Sequence, residues 1–310
     1  MKTLSYIGFS LCLLTLACSK GDGTHTAKPS SKRHYYNYIV AVDLSNRNLK
    51  DVSHAAILPV QHDTSAIYST LTIFRNRIPR GQLLHAKDRI IVVPVTQPTE
   101  HWQQIQELAP EINIGALPQA MRWRMLDSLD TDFRKRIASM YSIASTETVI
   151  GADMWRFFND QLEPLIIRDT LCINILVVLT DGYLYFDENV KEQRQWLGNK
   201  SDYMDEAELE YFRNCQTVLD ASGNISCNWE KVFDSRQYGL IPVHKDFGNL
   251  SVLVLGLNPI QPLNNREHAI LKKYWNTWFT DMGITKYQLH ELTPCVCQKV
   301  IDDFVRRTTK

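Results

Sequence analysis

The sequence lacks an excess of charge of one sign, a repeated or low-complexity tract, and an apolar run long enough for a permanent membrane span. Lysine plus arginine and aspartate plus glutamate each number 34 in 310 residues. No basic block exceeds a few residues, so the electrostatic signature of a nucleic-acid-binding protein is missing. The motifs HxxxH and HExxH are also absent, and no nucleophile stands with a recognisable base. With 44% hydrophobic residues, the chain can nevertheless bury a globular core.

The first 35 residues predict export and lipid anchoring. An early lysine and an apolar run over residues 7–17 precede Cys18, and this run is short enough to be an export signal. The stretch LTLAC resembles a bacterial lipobox, in which Cys18 becomes the lipidated first residue of the mature chain; an ordinary signal peptide with a chance cysteine is the alternative. Residues 18–35 are rich in Gly, Ser, Thr, Pro and Lys, which predicts a flexible tether.

The residues directly after Cys18 bear on localisation. SKGDG is similar to the sorting signal of surface-exposed Bacteroidetes lipoproteins. We therefore expect a protein that is lipid-anchored in the bacterial cell envelope, at the outer membrane. Both a periplasmic and a surface-exposed location stay open.

Apolar runs alternate with segments of helical period along the rest of the chain. The runs are β-branched and lack polar alternation, which is typical of strands buried on both faces of a parallel sheet; they are YIVAV (38–42), RIIVVPV (89–95), CINILVVL (172–179) and LSVLVLGL (250–257). Helices are predicted over 64–78, 121–144, 154–167, 265–283 and 294–309, with an edge strand over 287–292. This alternation predicts a doubly wound α/β fold with a mostly parallel central sheet flanked by helices, in one domain over residues 36–310.

Residues 183–248 interrupt the alternation. They contain no strong core strand and are dense in acids and aromatics, and they are too many for a structureless loop, so an insertion with a helix near residues 205–215 is predicted. Its tyrosines and tryptophans suit an exposed interface or a small core of the insertion's own. Cys215 and Cys227 could close a small disulfide loop within it.

Two of the predicted strands end in acid. YIVAV continues into Asp43 and Ser45, and ILVVL continues into Thr180 and Asp181. If the two strands are neighbours, their carboxylates and hydroxyls meet at one edge of the sheet. Such an oxygen-rich cleft is of the kind that holds Mg²⁺ or Mn²⁺.

These strand-end motifs resemble the von Willebrand factor type A family. Its members carry Asp-x-Ser-x-Ser after the first strand, a threonine on a second loop and a Thr-Asp-Gly-like turn after the fourth strand, which together form a metal-ion-dependent adhesion site. DLSNR (43–47) and LTDG (179–182) match the first and third elements, and GADMWRF (151–157) resembles the second loop. The resemblance covers most of residues 36–310 and implies a binding module for a protein partner.

The sequence departs from the family at two ligand positions. Arg47 stands where the second serine is expected, and Ala152 where the threonine is expected. Arginine has no acceptor atom and cannot ligate a cation, and its guanidinium could neutralise the two strand-end aspartates in place of an ion. We therefore expect a degenerate site that needs no cofactor.

Other arrangements of this site stay open. A working Mg²⁺ or Mn²⁺ site would use Asp43, Ser45 and Asp181, with a further oxygen from Thr146, Thr148 or Asp153. Arg47 could also be a solvated residue that contacts neither aspartate, which would leave room for a metal.

The function predicted from the sequence is that of a non-catalytic, membrane-anchored module that holds a protein partner or forms part of an envelope complex. The predicted ligand-binding residues are Asp43, Ser45, Asn46, Arg47, Asp153, Thr180 and Asp181. The alternatives are a metal-dependent adhesion domain, a Mg²⁺-dependent phosphohydrolase, and a purely structural role. A phosphohydrolase of this type needs a second aspartate where Ser45 stands.

Overall fold

The computed structural model describes residues 33–45, 54–95, 99–147, 151–184, 195–215, 228–257, 265–291 and 297–308. The described residues from His34 onward belong to one compact unit. They contain nine strands, which are β1 (Tyr35–Val42), β2 (Arg89–Pro94), β3 (Glu111–Asn113), β4 (Cys172–Leu179), β5 (Trp196–Leu197), β6 (Lys200–Ser201), β7 (Gly239–Leu240), β8 (Leu250–Leu255) and β9 (Tyr287–His290). Their helices are α1 (His54–Arg77), α2 (Trp102–Leu108), α3 (Gln119–Ala144), α4 (Met154–Arg156), α5 (Glu206–Arg213), α6 (Trp229–Ser235), α7 (Asn265–Asp281) and α8 (Cys297–Thr308).

Six of the strands form the central sheet, in the order β3-β2-β1-β4-β8-β9. The pairs β1–β2, β1–β4, β4–β8 and β8–β9 are parallel, and only β3 is antiparallel to its neighbour. The predicted α/β fold with a mostly parallel central sheet is therefore confirmed. Because the chain leaves β1 toward β2 on one side and returns to β4 on the other, the order reverses between β1 and β4. This is the place where sheets of this kind bind ligands.

Helices cover both faces of the sheet. Alternate residues of β1 point to opposite faces: Tyr38 and Val40 pack in one core with α1, α3 and α8, whereas Ile39 and Ala41 pack in a second core with α7. In the part of the chain that the structure describes, no helix has the length and hydropathy of a membrane-spanning segment.

The helix predicted over 154–167 is broken in the structure. Only Met154–Arg156 is α-helical; a π-helical turn over Phe157–Gln161 and a 3₁₀ turn over Glu163–Leu165 follow. The wider turn lets Phe157 and Phe158, which are adjacent in sequence, both be fully buried. Pro164 lacks a backbone N–H, so a regular α-helix cannot continue through it.

The described part of residues 183–248 contributes to the second core. Phe212, Trp229 and Phe233 are buried in the cluster that contains Trp275 and Trp278 of α7. The segment therefore extends the α7 layer, and its buried aromatic residues join the second core of the domain. They do not form an independent small core. It also contains α5, α6 and a three-stranded sheet in the order β5-β6-β7, of which only the helix near 205–215 was predicted.

The cysteines of the described residues have different states. Cys215 is disulfide-bonded, as expected for this residue, and its predicted partner Cys227 lies outside the described residues. Cys172 and Cys297 are free and buried. The predicted lipidation site Cys18 lies outside the described residues as well.

Candidate functional site

The carboxyl ends of β1 and β4 lie side by side. Val42 pairs with Leu179 at the end of the ladder, and the backbone N–H of Asp43 donates to the Leu179 carbonyl at 2.9 Å. This register brings Asp43 beside Thr180. The sequence predicted this proximity on the condition that the two strands are neighbours in a parallel sheet. The Asp43 side chain is fully buried, so it must be satisfied by protein groups.

The buried carboxylate of Asp43 joins the two strand-end loops. Its Oδ1 accepts hydrogen bonds from the backbone N–H of Ser45 at 2.8 Å and from the Ser45 hydroxyl at 2.6 Å. Its Oδ2 accepts from the Thr180 hydroxyl at 3.0 Å, and the Thr180 oxygen in turn accepts from the Gly182 N–H at 3.1 Å. Asp43, Ser45 and Thr180 thus form one network that joins the first residues after the two strands.

The turn after β4 is tightly packed. Asp181 is partly exposed, and its Oδ1 accepts from the Tyr183 N–H at 3.0 Å, which closes the turn. Gly182 has φ +98°, in the region that favours glycine. Its carbonyl accepts a hydrogen bond from the Trp275 indole of α7 at 3.0 Å. This contact secures the turn against the helix layer.

The end of β8 approaches the same turn closely. Gly256 has φ +104°, and a Cβ at this position would lie 2.4 Å from the Thr180 carbonyl oxygen. A distance of this size excludes any side chain. The backbone of β8 can therefore reach the candidate site only because residue 256 is glycine.

The predicted second loop does not add a ligand to the Asp43 network. Ala152 is buried and contributes only a methyl group. Asp153 caps α4: its carboxylate accepts from the Arg156 N–H at 3.0 Å and pairs with the Arg156 guanidinium at 3.4 Å. Burial raises the pKa of Asp153 above its ordinary value, against the opposing effect of Arg156. Among the alternatives, the Thr146 hydroxyl donates to the Ile143 carbonyl at the end of α3.

Three predicted residues cannot be placed. Asn46, Arg47 and Thr148 lie outside the described residues. The expected contact between the Arg47 guanidinium and the two aspartates therefore stays a prediction.

The described residues fit a complete metal site poorly. Within the described ranges, no group of three or more His, Cys, Asp or Glu side chains is arranged to hold an ion. Mg²⁺ is commonly held by one or two carboxylates whose lone pairs face the ion, whereas both oxygens of Asp43 already accept hydrogen bonds. We therefore derive no chemistry through a bound metal.

A buried ion-pair network lies next to the strand-end turn. Glu267, in the first turn of α7, is 1% exposed and accepts from Arg213 of α5 at 2.6 and 3.1 Å, and from the Tyr183 hydroxyl. Arg213 also pairs with Glu206. Burial alone would lower the pKa of Arg213, but its hydrogen bonds to the two glutamates outweigh burial and raise it.

Sequence reasoning missed this network. Tyr183, Arg213 and Glu267 are far apart along the chain, and an acid in the first turn of a helix is an ordinary favourable interaction with the helix dipole. No local pattern marks them. The network matters here because it ties α5, and with it the segment after β4, to the turn that carries Asp181.

Comparison with known proteins identifies no family. No protein-family model matches the sequence, and no curated protein matches it either. Two crystal structures of the pilus adhesin SpaC from Lactobacillus rhamnosus GG, one in an open conformation, are similar over 90% of this chain at 10% identity, with TM-scores of 0.42 and 0.40. This chain spans 30% and 31% of those chains. A likeness of this size carries no argument about function.

Proposed function

We propose that this chain is a lipid-anchored, non-catalytic binding module, similar to von Willebrand factor type A domains, that holds a protein partner or forms part of an envelope complex at the carboxyl edge of its sheet. The proposal rests on one observation above all, which is the network at the switch point between β1 and β4. There the buried Asp43 binds the Ser45 loop and Thr180 together. Such a network preorganises the strand-end residues that would meet a partner.

The charge at this edge supports recognition of a polar partner. Asp181 follows Thr180 directly and is partly exposed, whereas Asp43 is fully buried. The two carboxylates thus have different roles in the proposal: Asp43 positions the strand ends, and Asp181 is partly exposed at the surface. The first role is structural and the second is recognition.

Binding without a full metal site is the favoured form of the proposal. Ala152 brings a buried methyl group where the family has a threonine ligand, and both Asp43 oxygens are used within the protein. Arg47 would supply the positive charge that an ion supplies in the family. A metal-dependent adhesion domain that uses Asp43, Ser45 and Asp181 is the alternative.

A non-catalytic role is supported by the residue that stands at position 45. A phosphohydrolase with a strand-end aspartate needs a second carboxylate there as ligand or general acid. Ser45 occupies the position and donates its hydroxyl proton to Asp43. Position 45 therefore lacks the carboxylate that the phosphohydrolase needs, and its side chain instead forms a hydrogen bond with Asp43.

Metal titration tests the first part of this proposal. Mg²⁺ and Mn²⁺ are titrated by calorimetry into a soluble form of the chain that starts at Ser19, beside an Arg47→Ser variant. We expect the wild type to bind neither ion and the variant to gain binding. Sub-millimolar binding by the wild type would instead favour the metal-dependent adhesion domain.

Partner capture tests the second part. An Asp181→Asn variant is expected to lose the protein that the wild type retains from an envelope extract of its source cells, with an unchanged unfolding midpoint. Asp127→Asn on the exposed face of α3 is the matched control, because it removes the same charge from another surface. Equal capture by both variants would show that the carboxyl edge is not the interface.

The anchor is tested independently of the site. Cys18→Ala is expected to move the protein from the membrane fraction to the soluble fraction, because the lipid attachment point is lost. Intact mass of the wild type gives the second readout, since a lipidated cysteine adds the mass of its acyl chains. An unmodified mature N-terminus would contradict the anchor.

A further inference from the structure

We propose that the carboxyl end of β9 is an acid-sensitive clamp on the candidate site: when His268 and His290 take up protons, β9 releases the end of β8, which is packed against the turn after β4. We call the hydrogen bonds between the end of β9 and the end of β8 the β9 clamp. It is a conformational device of the fold, and it does not depend on which partner binds at the carboxyl edge.

The β9 clamp joins the last residue of β9 to the residues that follow β8. His290 ends β9 and pairs with Leu255, the last residue of β8. The His290 carbonyl accepts hydrogen bonds from the Gly256 N–H at 3.0 Å and from the Leu257 N–H at 3.3 Å. Both donors lie just beyond the strand, so His290 fixes the path by which the chain leaves β8.

The two residues held by the clamp pack against the strand-end turn. The Gly256 backbone lies so close to the Thr180 carbonyl that no side chain fits between them, and the Leu257 side chain packs against Gly182 in the same way. The Thr180 hydroxyl donates to the buried Asp43 carboxylate at 3.0 Å. Release of the clamp would therefore loosen the packing around the candidate site.

β9 is the strand of the central sheet that suits such a device. It has four residues, all of them half-buried, and it stands at the end of the strand order, where β8 is its neighbour. An edge strand is hydrogen-bonded on one side, so fewer contacts oppose its opening than oppose the opening of β1 or β4. The end of β9 can therefore open while the centre of the sheet stays folded.

The surroundings of the His290 ring favour its neutral form. Its Nε2 lies 3.0 Å from Oε1 of Gln288, a neutral partner that stabilises a charge less than a carboxylate does. Burial, together with Lys272 of α7 and Arg307 of α8, lowers the pKa of His290 below its ordinary value of 6.5. A proton taken up by the closed clamp would add a positive charge beside these two cations.

His268, in the first turn of α7, is under a similar constraint. Its Nε2 lies 3.1 Å from Oε1 of Glu291, the residue after His290. The Glu291 side chain is 57% exposed, so water screens its attraction for a charged ring. Burial and Lys272 outweigh Glu291 and lower the pKa of His268. Lys272 therefore opposes protonation of both rings.

The direction of the response follows from these shifts. In the open state the two rings are solvated and titrate near 6.5, whereas in the closed state both pKa values are lower. As the pH falls through 6.5, the open state binds more protons than the closed state, and the clamp loses stability. Above 6.5 both rings are neutral in either state, and the clamp is closed.

Hydrogen exchange of the Gly256 and Leu257 amides tests the clamp in the intact protein. After correction for the intrinsic effect of pH on exchange, we expect protection to fall from about pH 7.5 to about pH 5, by up to about tenfold for each unit by which a histidine pKa is lowered. A His268→Gln, His290→Gln double variant should keep its protection over this range. His85→Gln is the matched control and should respond like the wild type, because His85 is exposed in the turn before β2.

Lys272→Gln is a second test that leaves both histidines in place. Loss of this cation should raise the pKa of both rings, measured by NMR of their ring protons. It should also reduce the acid-induced loss of protection without abolishing it, because burial is the larger cause of both shifts. This variant decides the question if the double variant is unprotected at every pH.

Several results would overturn the clamp. They are constant protection of the wild type, the same acid-induced loss in the double variant, and an unchanged response in Lys272→Gln. Equal loss at the amides of β1 would indicate global unfolding and would overturn it as well. Amide exchange is the readout because burial raises the pKa of Glu208 to about 7, which gives global stability a dependence of opposite sign. None of these results bears on the proposed binding function.

Discussion

Replacing Arg213 with methionine is expected to destabilise the fold by about 3–5 kcal/mol, the usual cost of leaving a buried charge without its partner. Arg213 supplies two of the donors that reach the Glu267 carboxylate. Glu267 is 1% exposed, so water cannot replace them. Only the Tyr183 hydroxyl would still donate to the carboxylate. These hydrogen bonds all reach Oε1, and Oε2 has no hydrogen-bond partner among the described residues.

The same arginine provides its own control. Its second partner, Glu206, has a side chain that is 57% exposed, and exposed ion pairs contribute about 0–1 kcal/mol. Glu206→Gln should therefore change stability little, whereas Glu267→Gln should cost clearly more. In an Arg213→Met, Glu267→Gln double variant the buried charge is gone, so the double variant should be less destabilised than the two single changes together, by about 2 kcal/mol.

Urea unfolding of the four variants and the wild type, at neutral pH, measures these differences. Partner affinity gives a second readout, because Tyr183 contacts Glu267 and is next to Gly182 in the strand-end turn. The Arg213→Met variant should have a lower affinity for the captured partner at temperatures where it is still folded. A loss below about 1 kcal/mol for Arg213→Met, or equal losses for Glu206→Gln and Glu267→Gln, would refute the view that the buried pair holds the segment.

The remaining predictions concern individual residues. Gly256→Ala should cost about 3 kcal/mol because of its φ of +104° and the adjacent carbonyl. Gly283→Ala, with φ +72° and open space around it, should cost about 1 kcal/mol in the same urea assay. Burial raises the pKa of Glu208 from 4.5 to about 7, so the folded state retains a proton that the unfolded state has lost between these values, and stability should fall as the pH rises through this window. Glu208→Gln should flatten that dependence, measured as unfolding midpoints from about pH 5 to about pH 8. Burial raises the pKa of the Cys172 thiol to about 12 and that of Cys297 to about 11, so peptides containing them should be alkylated at mildly alkaline pH only after unfolding.

The central strands could be predicted because burial on both faces leaves a direct trace in the sequence. The strand predicted over 172–179 is observed with the same bounds, and β1 extends the predicted 38–42 by three residues at its start. β3 and the β5–β7 sheet were missed, because strands of two or three residues are too short to show a period. The prediction of one continuous helix over 154–167 was wrong, because the period of the apolar residues does not reveal a π-helical turn.

The residues of the candidate site could be predicted in part. Acids that follow apolar runs indicated Asp43 and Asp181, and the neighbouring strands place Thr180 against Asp43. Their internal hydrogen bonds could not be predicted, since whether a carboxylate faces a ligand, a hydroxyl or its own backbone depends on side-chain geometry. The capping role of Asp153 is an example, because the sequence allowed it to be a ligand as well.

The sequence by itself determined the class of fold and the position of the candidate site, because hydrophobic period and strand-end acids depend only on neighbouring residues. Only the tertiary structure decided that the segment after β4 shares the α7 core, that Glu267 is buried against Arg213, and that Gly256 approaches the Thr180 carbonyl. Each of these depends on residues that are far apart in the chain. Their proximity follows from the order of the strands, and no local pattern encodes that order.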